Sequence, residues 1–329
     1  MRKIIFILIG LFIFTTLVGC RQEAKGKNDL KKITIMLDWY PNAIHSFLYV
    51  AEEKGYFKEE GLDVEFKFPA NPTDPLNLAA SGKVTMGLYY QPDVIMAKAN
   101  EDLPIKSIAG IVKEPLNHLV YNSKNAPQTP KDLEGKKVGT PGIPINEALV
   151  KTMVEHDGGD YDKVNMLDVG FDLGTALTSK EAVAVSGMFV NHEVPLLRHQ
   201  GHKIDYFNPV DYGVPNYYEV VAVTSDHTWE KEQEDIEAFW RAAKKGFEFM
   251  DTENEKALEI LLDHQNKENF PLDKEVEADS LEILLPKMKS DGSFGTQNRE
   301  AWKNTATWLK ETGLIDEIPE IDDLFINMK

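Results

Sequence analysis

Apolar residues recur along the chain with two alternating periods. A period of two marks strands and one near 3.6 marks helices. Ile33, Ile35 and Leu37 open the series as a strand. A helix is predicted over 45–54, with Gly55 as its stop. Leu62, Val64, Phe66 and Phe68 alternate with Asp63, Glu65 and Lys67, a second strand with one wet face. Residues 74–80 read as a short helix. Residues 84–88 read as a strand running into Tyr89-Tyr90-Gln91-Pro92-Asp93, where Pro92 suits the first turn of a helix. Strands are predicted over 105–112 and 118–121. The pattern then restarts with a strand over 136–140, a loop at Pro141-Gly142-Ile143-Pro144-Ile145, and a helix to about 156. Asn146 is a good N-cap for that helix, and Gly158-Gly159 closes it. Residues 164–169, 183–190 and 220–224 are expected to form strands of a second sheet. Amphipathic helices follow over 229–250, 254–265, 276–289 and 299–312, and no repeat or low-complexity tract interrupts the chain.

Strands separated by helices imply an α/β protein whose sheets are mostly parallel. The body is too long for one simple core, so two lobes are expected. Residues 32–121 and 225–329 are assigned to lobe 1 and 122–224 to lobe 2. The chain is expected to cross near Tyr121-Asn122 and again near Val223–Ser225. Ligands of open parallel sheets bind beyond the carboxyl ends of the strands, here the cleft between the lobes.

The N-terminus reads as an export signal. Arg2 and Lys3 precede an apolar run from Ile4 to Val18, which ends in Leu17-Val18-Gly19-Cys20. A charged start, a short apolar run and a small-residue cleavage site describe a signal peptide over 1–19, not a spanning helix. Leu-Val-Gly-Cys resembles a bacterial lipobox, which implies cleavage before Cys20 and its lipidation. Residues 20–31 are polar and aperiodic and read as a tether. Cys20 is the only cysteine, so an exported body would hold no disulfide, thiolate zinc site or catalytic cysteine.

The formal charge is -18, and loss of Arg2 and Lys3 takes it to -20, with 34 basic against 54 acidic residues. Such an acidic body disfavours nucleic acid and electrostatic docking to anionic lipid. Membrane attachment would come from the acyl chains. A monomer is expected.

One loop concentrates chemistry. Asp38-Trp39-Tyr40-Pro41-Asn42 places a carboxylate, two aromatics, a turn proline and an amide where the first strand ends. Rigid scaffolds carry their sites on such loops, although a turn whose aromatics cap the core has the same composition.

Several stretches together resemble the thiamin-pyrimidine family, which holds bacterial formylaminopyrimidine-binding lipoproteins and yeast-type pyrimidine synthases. They are Asp38–Asn42 with His45, Phe47–Ala51, Lys54–Phe57, Tyr89–Asp93, Val190-Asn191-His192-Glu193, and Tyr212–Glu219. The resemblance runs over most of the chain. It implies a type II periplasmic-binding fold and a formylated aminomethylpyrimidine, a thiamin breakdown product, as ligand. It also implies delivery to the permease and ATPase of an ABC importer for salvage. Two departures bear on one cleft wall. Ser179–Val185 lacks the acidic residue the family carries near 183, and Val190 stands where an aromatic is common.

An aminopyrimidine is flat and carries donors and acceptors on its edge. Trp39 and Tyr90 are the stacking candidates, and Tyr89 is a weaker one because strand neighbours face opposite ways. Glu193 is the leading polar candidate, since a carboxylate accepts from an exocyclic amine or a protonated ring nitrogen; the family motif places Asn191 beside it. Asp38 and Asn42 either bond the ligand or hold the turn. His45 either binds or starts a helix, and in the synthases the matching histidine takes part in chemistry. Gly142 leads to a helix N-terminus that can hold a polar group. No Arg or Lys lies between Val138 and Val150, which favours a neutral group there. Asn146 either contacts that group or caps the helix. Tyr217 either closes over the ligand or packs the hinge. No metal or cofactor is expected: His192 reads as a rim residue, and His199 and His202 read as solvated surface.

The leading expectation is thus an extracytoplasmic, lipid-anchored solute-binding protein, not an enzyme. The alternatives are the same fold with a related pyrimidine, riboflavin or a sulfonate, and a pyrimidine synthase. Bound iron or pyridoxal phosphate would mark the synthase.

Overall fold

The structure is a computed structural model that describes residues 30–170, 172–268 and 270–328. The leader over 1–19 and Cys20 lie outside the described residues. Among those described, no helix is long and apolar enough to cross a membrane.

Among the described residues, ten strands form two sheets. They are β1 (Lys31–Met36), β2 (Leu62–Lys67), β3 (Met86–Tyr89), β4 (Ile105–Val112), β5 (Asn117–Asn122), β6 (Lys137–Thr140), β7 (Asn165–Asp168), β8 (Ala184–Phe189), β9 (Ile204–Phe207) and β10 (Val220–Ser225). The first sheet has the order β2-β1-β3-β10-β4 and the second β7-β6-β8-β5-β9. Each has four strands pointing one way and one the other. The reversed strand is β10 in the first sheet and β5 in the second.

Those two reversed strands correct the expected lobe boundaries. Residues 118–121 belong to the second sheet and 220–224 to the first. The chain therefore crosses at 113–116 and returns at 208–219, before both expected points. The physical reason is that each reversed strand enters its sheet directly from a crossing, so its apolar pattern does not reveal which sheet it joins. Strand β9 was not expected. Its residues Ile204-Asp205-Tyr206-Phe207 form a short edge strand after a polar segment, with too few residues to show a period.

Both faces of the first sheet are covered. Val220 and Ala222 of β10 pack on one side with Ile33, Ile35, Phe47 and Phe239, while Val221 and Val223 pack on the other with Val94, Ile95 and Trp302. This alternation is the period-two rule applied to a sheet buried on both faces. The helix Asp226–Thr252 lies against the helix Ser46–Glu53, and Gly246 makes that approach possible. A Cβ at Gly246 would run into the Phe47 carbonyl oxygen and crowd Ala51. In the second sheet, Leu149, Val150 and Met153 of the helix Pro144–His156 cover Leu119 and Val138. Leu173, Leu177, Val194 and Leu197 cover Val120 and Val185 on the reverse face.

Gly246→Ala is expected to destabilise the protein by about 1–3 kcal/mol, the usual cost of overpacking. Urea unfolding measures this, and an unshifted midpoint would mean that the two helices separate at no cost.

Candidate functional site

The ends of β1, β3, β6 and β8 and the beginnings of β5 and β10 converge on one edge between the sheets. Nearly all of the sequence-predicted residues lie there. Asp38 follows β1, Tyr90 follows β3, Gly142 follows β6, and Asn191 and Glu193 follow β8.

The Asp38–His45 loop is held from within. Asn42 Nδ2 donates to the Tyr40 carbonyl at 2.9 Å, and its Oδ1 accepts from the Ile44 N–H at 2.9 Å. His45 is fully buried. Its Nδ1 accepts from the Asn42 N–H at 3.2 Å, which leaves the proton on Nε2 to bond Asp38 Oδ1 at 2.8 Å. Asn42 and His45 therefore take the structural alternative, with no ring nitrogen of His45 left for a ligand. Asp38 keeps its second oxygen. Tyr40 stacks on Phe270, with ring centroids 3.5 Å apart, and Trp39 stands edge-on to Tyr40. Trp39 remains 45% exposed, so one face is open for stacking.

Below this loop lie tyrosines and carboxylates. Tyr90 meets Phe189 of the other lobe edge to face, at 6.3 Å. Burial and the nearby Asp38 and Glu219 hold the Tyr90 hydroxyl well above the usual phenol range. Tyr89 is buried against it. Asp93 sits in the first turn of the helix Gln91–Glu101, and burial pushes its carboxyl up to about 7. Glu219 is 5% exposed and accepts from the Leu116 and Asn117 N–H groups at 2.7 and 3.1 Å. Burial raises it to about 7, against the pull of those two bonds. Tyr217 is buried and lies parallel to Trp308, so it packs the hinge.

The opposite wall is an amide network. Asn117 Nδ2 donates to Asn146 Oδ1 at 2.6 Å, the Ser186 hydroxyl donates to the same oxygen at 3.3 Å, and the Gly187 N–H donates to Asn117 Oδ1. Asn146 is not the N-cap expected of it. The helix begins two residues earlier at Pro144, with Ile143 as N-cap, because proline's fixed φ and missing N–H suit the first helical position. The Thr140 hydroxyl, at the end of β6, is buried without a partner. Gly142 has φ +74°, and a Cβ there would run into the Asp168 carboxylate. Gly142 also lines a groove of about 230 Å³ with Pro144, Lys151 and Leu314, apart from Trp39 and Tyr90.

Glu193 opens the helix Glu193–His199, and its Oε2 accepts from the Phe189 N–H at 2.8 Å. Its Oε1 lies 3.5 Å from His192 Nδ1. Asn191 is 1% exposed. It donates to the Ser280 hydroxyl across the lobe boundary, and its Oδ1 is left without a partner. His199 is exposed, as expected, and its Nε2 pairs with Asp279 at 2.9 Å on that surface. The Ser179–Val185 departure falls at the start of β8. Asn191 and Glu193 follow its other end, while Ser186 and Gly187 of the amide wall come directly after the departure.

Sequence reasoning missed Asp93, Glu219, Asn117 and Glu277. The first two end the motif stretches Tyr89–Asp93 and Tyr212–Glu219, and for Glu219 a carboxylate directly before an apolar strand was the available signal. Asn117 and Glu277 gave none. Among the described residues no cluster of His, Cys, Asp or Glu could hold a metal. Lys113, a buried cation near the first crossing, is taken up by the carbonyls of Asp291, Gly292 and Ser293.

Two lobes, each a mixed five-stranded sheet with covering helices, and polar groups at the facing strand ends make this a periplasmic-binding-protein fold. The periplasmic aliphatic sulphonate binding protein of Escherichia coli superposes with a TM-score of 0.69 at 14% identity, over 89% of this chain and 96% of that one. Residues 42–257 match the family described as NMT1/THI5 like, and the chain belongs to that family. It is 48% identical to the formylaminopyrimidine-binding protein of Halalkalibacterium halodurans, over 98% of this chain and 97% of that protein. It is 28% identical to a 4-amino-5-hydroxymethyl-2-methylpyrimidine phosphate synthase of Saccharomyces cerevisiae, over 73% of each.

Asp93 and Glu219 give stability a definite pH slope. Each binds its proton more tightly folded than unfolded, so its contribution is complete below its unfolded pKa, near pH 4, and is lost as pH rises through about 7. Each carboxyl contributes on the order of 3 kcal/mol over that window. Urea midpoints are expected to fall between pH 5 and 8, and Asp93→Asn is expected to flatten that fall. Equal slopes in both proteins would show that Asp93 ionises freely.

Proposed function

We propose that this protein is an extracytoplasmic solute-binding protein, anchored through lipidated Cys20, that presents a formylated aminomethylpyrimidine to the permease and ATPase of an ABC importer. The observation that carries the reading is the charge of the cleft. Asp38, Asp93 and Glu219 stand around Tyr90, Glu193 holds the backbone of Phe189 that Tyr90 meets, and Lys113 is spent on a loop. A sulfonate needs donors or cations, and these carboxylates would repel it. An aminopyrimidine has an amine and a basic ring nitrogen that give a carboxylate two donors side by side. Trp39 and Tyr90 supply aromatic faces for the ring. On the other lobe, Thr140 and the amides of Asn117 and Asn146 suit the formamide.

The 48% identical relative named for formylaminopyrimidine supports the same ligand. The engagement of His45 supports binding over catalysis, because a histidine bonded at both nitrogens is not free to exchange protons with a substrate.

The test is calorimetric titration of the protein truncated after Cys20 with the formylaminopyrimidine, the unformylated amine, hydroxymethylpyrimidine and a short alkanesulfonate. Submicromolar binding that prefers the formyl compound is expected. Sulfonate binding with none of the pyrimidines would overturn the reading. Trp39→Ala and Glu193→Ala are each expected to weaken binding at least tenfold, about 1.4 kcal/mol, without unfolding the protein. Unchanged affinity in both would move the site elsewhere.

A further inference from the structure

The helix Lys274–Lys289 belongs with the first sheet, where it packs on β4 and on the Ala43–His45 turn. It also touches the helix Glu193–His199 of the other lobe. Glu277 lies on that contact with 1% exposure. Its Oε2 accepts from the Ala43 N–H at 2.7 Å, which ties it to the loop that carries Asp38 and Trp39. Its Oε1 lies 3.9 Å from His192 Nε2, and the other nitrogen of that ring faces Glu193. One turn further on, the Ser280 hydroxyl takes the Asn191 amide at 3.0 Å.

We propose that Glu277 is a positioning residue that holds the Trp39 loop and the Asn191–Glu193 turn in register across the cleft, so that closure of the lobes and completion of the ligand site are one event. Glu277 Oε2 takes one backbone donor on its own lobe, and the ring that faces Oε1, His192, belongs to the other lobe, so this contact exists only when the lobes meet. An open cleft returns Glu277 to water and separates it from His192. The His199 pairs with Asp279 and Glu275 reinforce the same boundary, but they are solvent-exposed and screened, so they contribute little.

The charges around this contact fix the direction of a pH effect. His192 faces Glu193 on its own helix and Glu277 across the boundary. Glu277 also faces His45 on the Ala43–His45 turn and Asp273 at the start of its own helix. The hydrogen bond to Glu193 raises His192 above the usual imidazole range, and burial raises Glu277 above the usual carboxylate range. The pair attracts when His192 is protonated and Glu277 is ionised. As pH rises past the His192 value, the imidazole becomes neutral and closure loses its attraction. The proposal rests on the cleft being the ligand site, but closure itself can be read without ligand.

Two measurements on the truncated protein separate the possibilities. The first is small-angle X-ray scattering, without ligand, of wild type, Glu277→Gln and His192→Gln at pH 6 and pH 8.5. Glutamine still accepts from the Ala43 N–H, so Glu277→Gln keeps the loop and removes only the charge. Wild type is expected to be more compact at pH 6, and both variants are expected to show a clearly smaller difference between the two pH values, the remainder coming from Asp93 and Glu219. A wild-type radius of gyration that ignores pH, or variants that follow wild type, would overturn the proposal whatever the ligand proves to be. The second is titration with the formylaminopyrimidine. Glu277→Gln is expected to bind about tenfold more weakly at pH 6 and equally at pH 8.5. A wild type that is pH-responsive in scattering but binds no pyrimidine would sink the ligand reading and leave the latch standing.

Discussion

Glu219 holds the two crossings of the chain together. Its carboxylate accepts two N–H groups from the first crossing while it stands on the second, so one buried side chain pins both strands of the hinge. A carboxylate with two backbone donors in a dry environment is worth its burial only if both segments keep their positions. The consequences spread outward. Leu116 and Asn117 are fixed, and Asn117 then organises Asn146, Ser186 and Gly187 into the second wall. On the other side, Gln91 bonds the Tyr218 backbone in both directions, which locks the helix that carries Asp93 to the same crossing. The cleft is thus built around a hinge in which Glu219 and the Gln91 side-chain oxygen already have their partners, while Gln91 Nε2 is buried without one.

The fold was legible wherever apolar periodicity was long. The four C-terminal helices and strands β1, β2 and β8 stand within a few residues of their expected positions because their buried stripes recur over several turns or pleats. What could not be read was membership. Strand β10 is Val220-Val221-Ala222-Val223, apolar on both faces, and such a run fits the centre of either sheet. Its partners are set by how the crossings run, which depends on contacts such as that of Glu219 far along the chain. The helix over 144–156 illustrates a local error of the same kind. Asn146 has the chemistry of an N-cap, but Pro144 starts the helix earlier, and the amide is recruited into a buried network instead.

The site divided along similar lines. The Asp38–Asn42 loop, Tyr90 and the Asn191–Glu193 turn were legible because they are dense in chemistry and sit at strand ends. Their division of labour was not. Asn42 and His45 look like ligands in sequence, yet each has its hydrogen-bonding atoms spent within the loop, and a sequence does not show which donors are already satisfied. Glu277 shows the converse. It stands in the polar stretch Lys274-Glu275-Val276-Glu277-Ala278-Asp279, where a glutamate reads as solvated surface, and only the tertiary contact with Ala43 and His192 reveals it as buried.

In the proposed site, charge weighs more in the choice of ligand than shape does. A unit charge about 4 Å from a carboxylate at an effective dielectric near 20 is worth about 4 kcal/mol, whereas an aromatic stack contributes about 0.5–1.5 kcal/mol. Trp39 and Tyr90 would accept any flat ring at similar cost, so they select planarity and little else. In the proposed site, Glu193, Asp38, Asp93 and Glu219 set the sign and disfavour an anion. The raised values of Asp93 and Glu219 sharpen this choice. Near neutrality each is poised between its charged and neutral forms, so a ligand that brings a basic ring nitrogen can share a proton with the wall, and one that brings a sulfonate cannot. On the proposed reading, carboxylates at the strand ends suit this fold to a weakly basic ligand, and the two sheets serve only to place them.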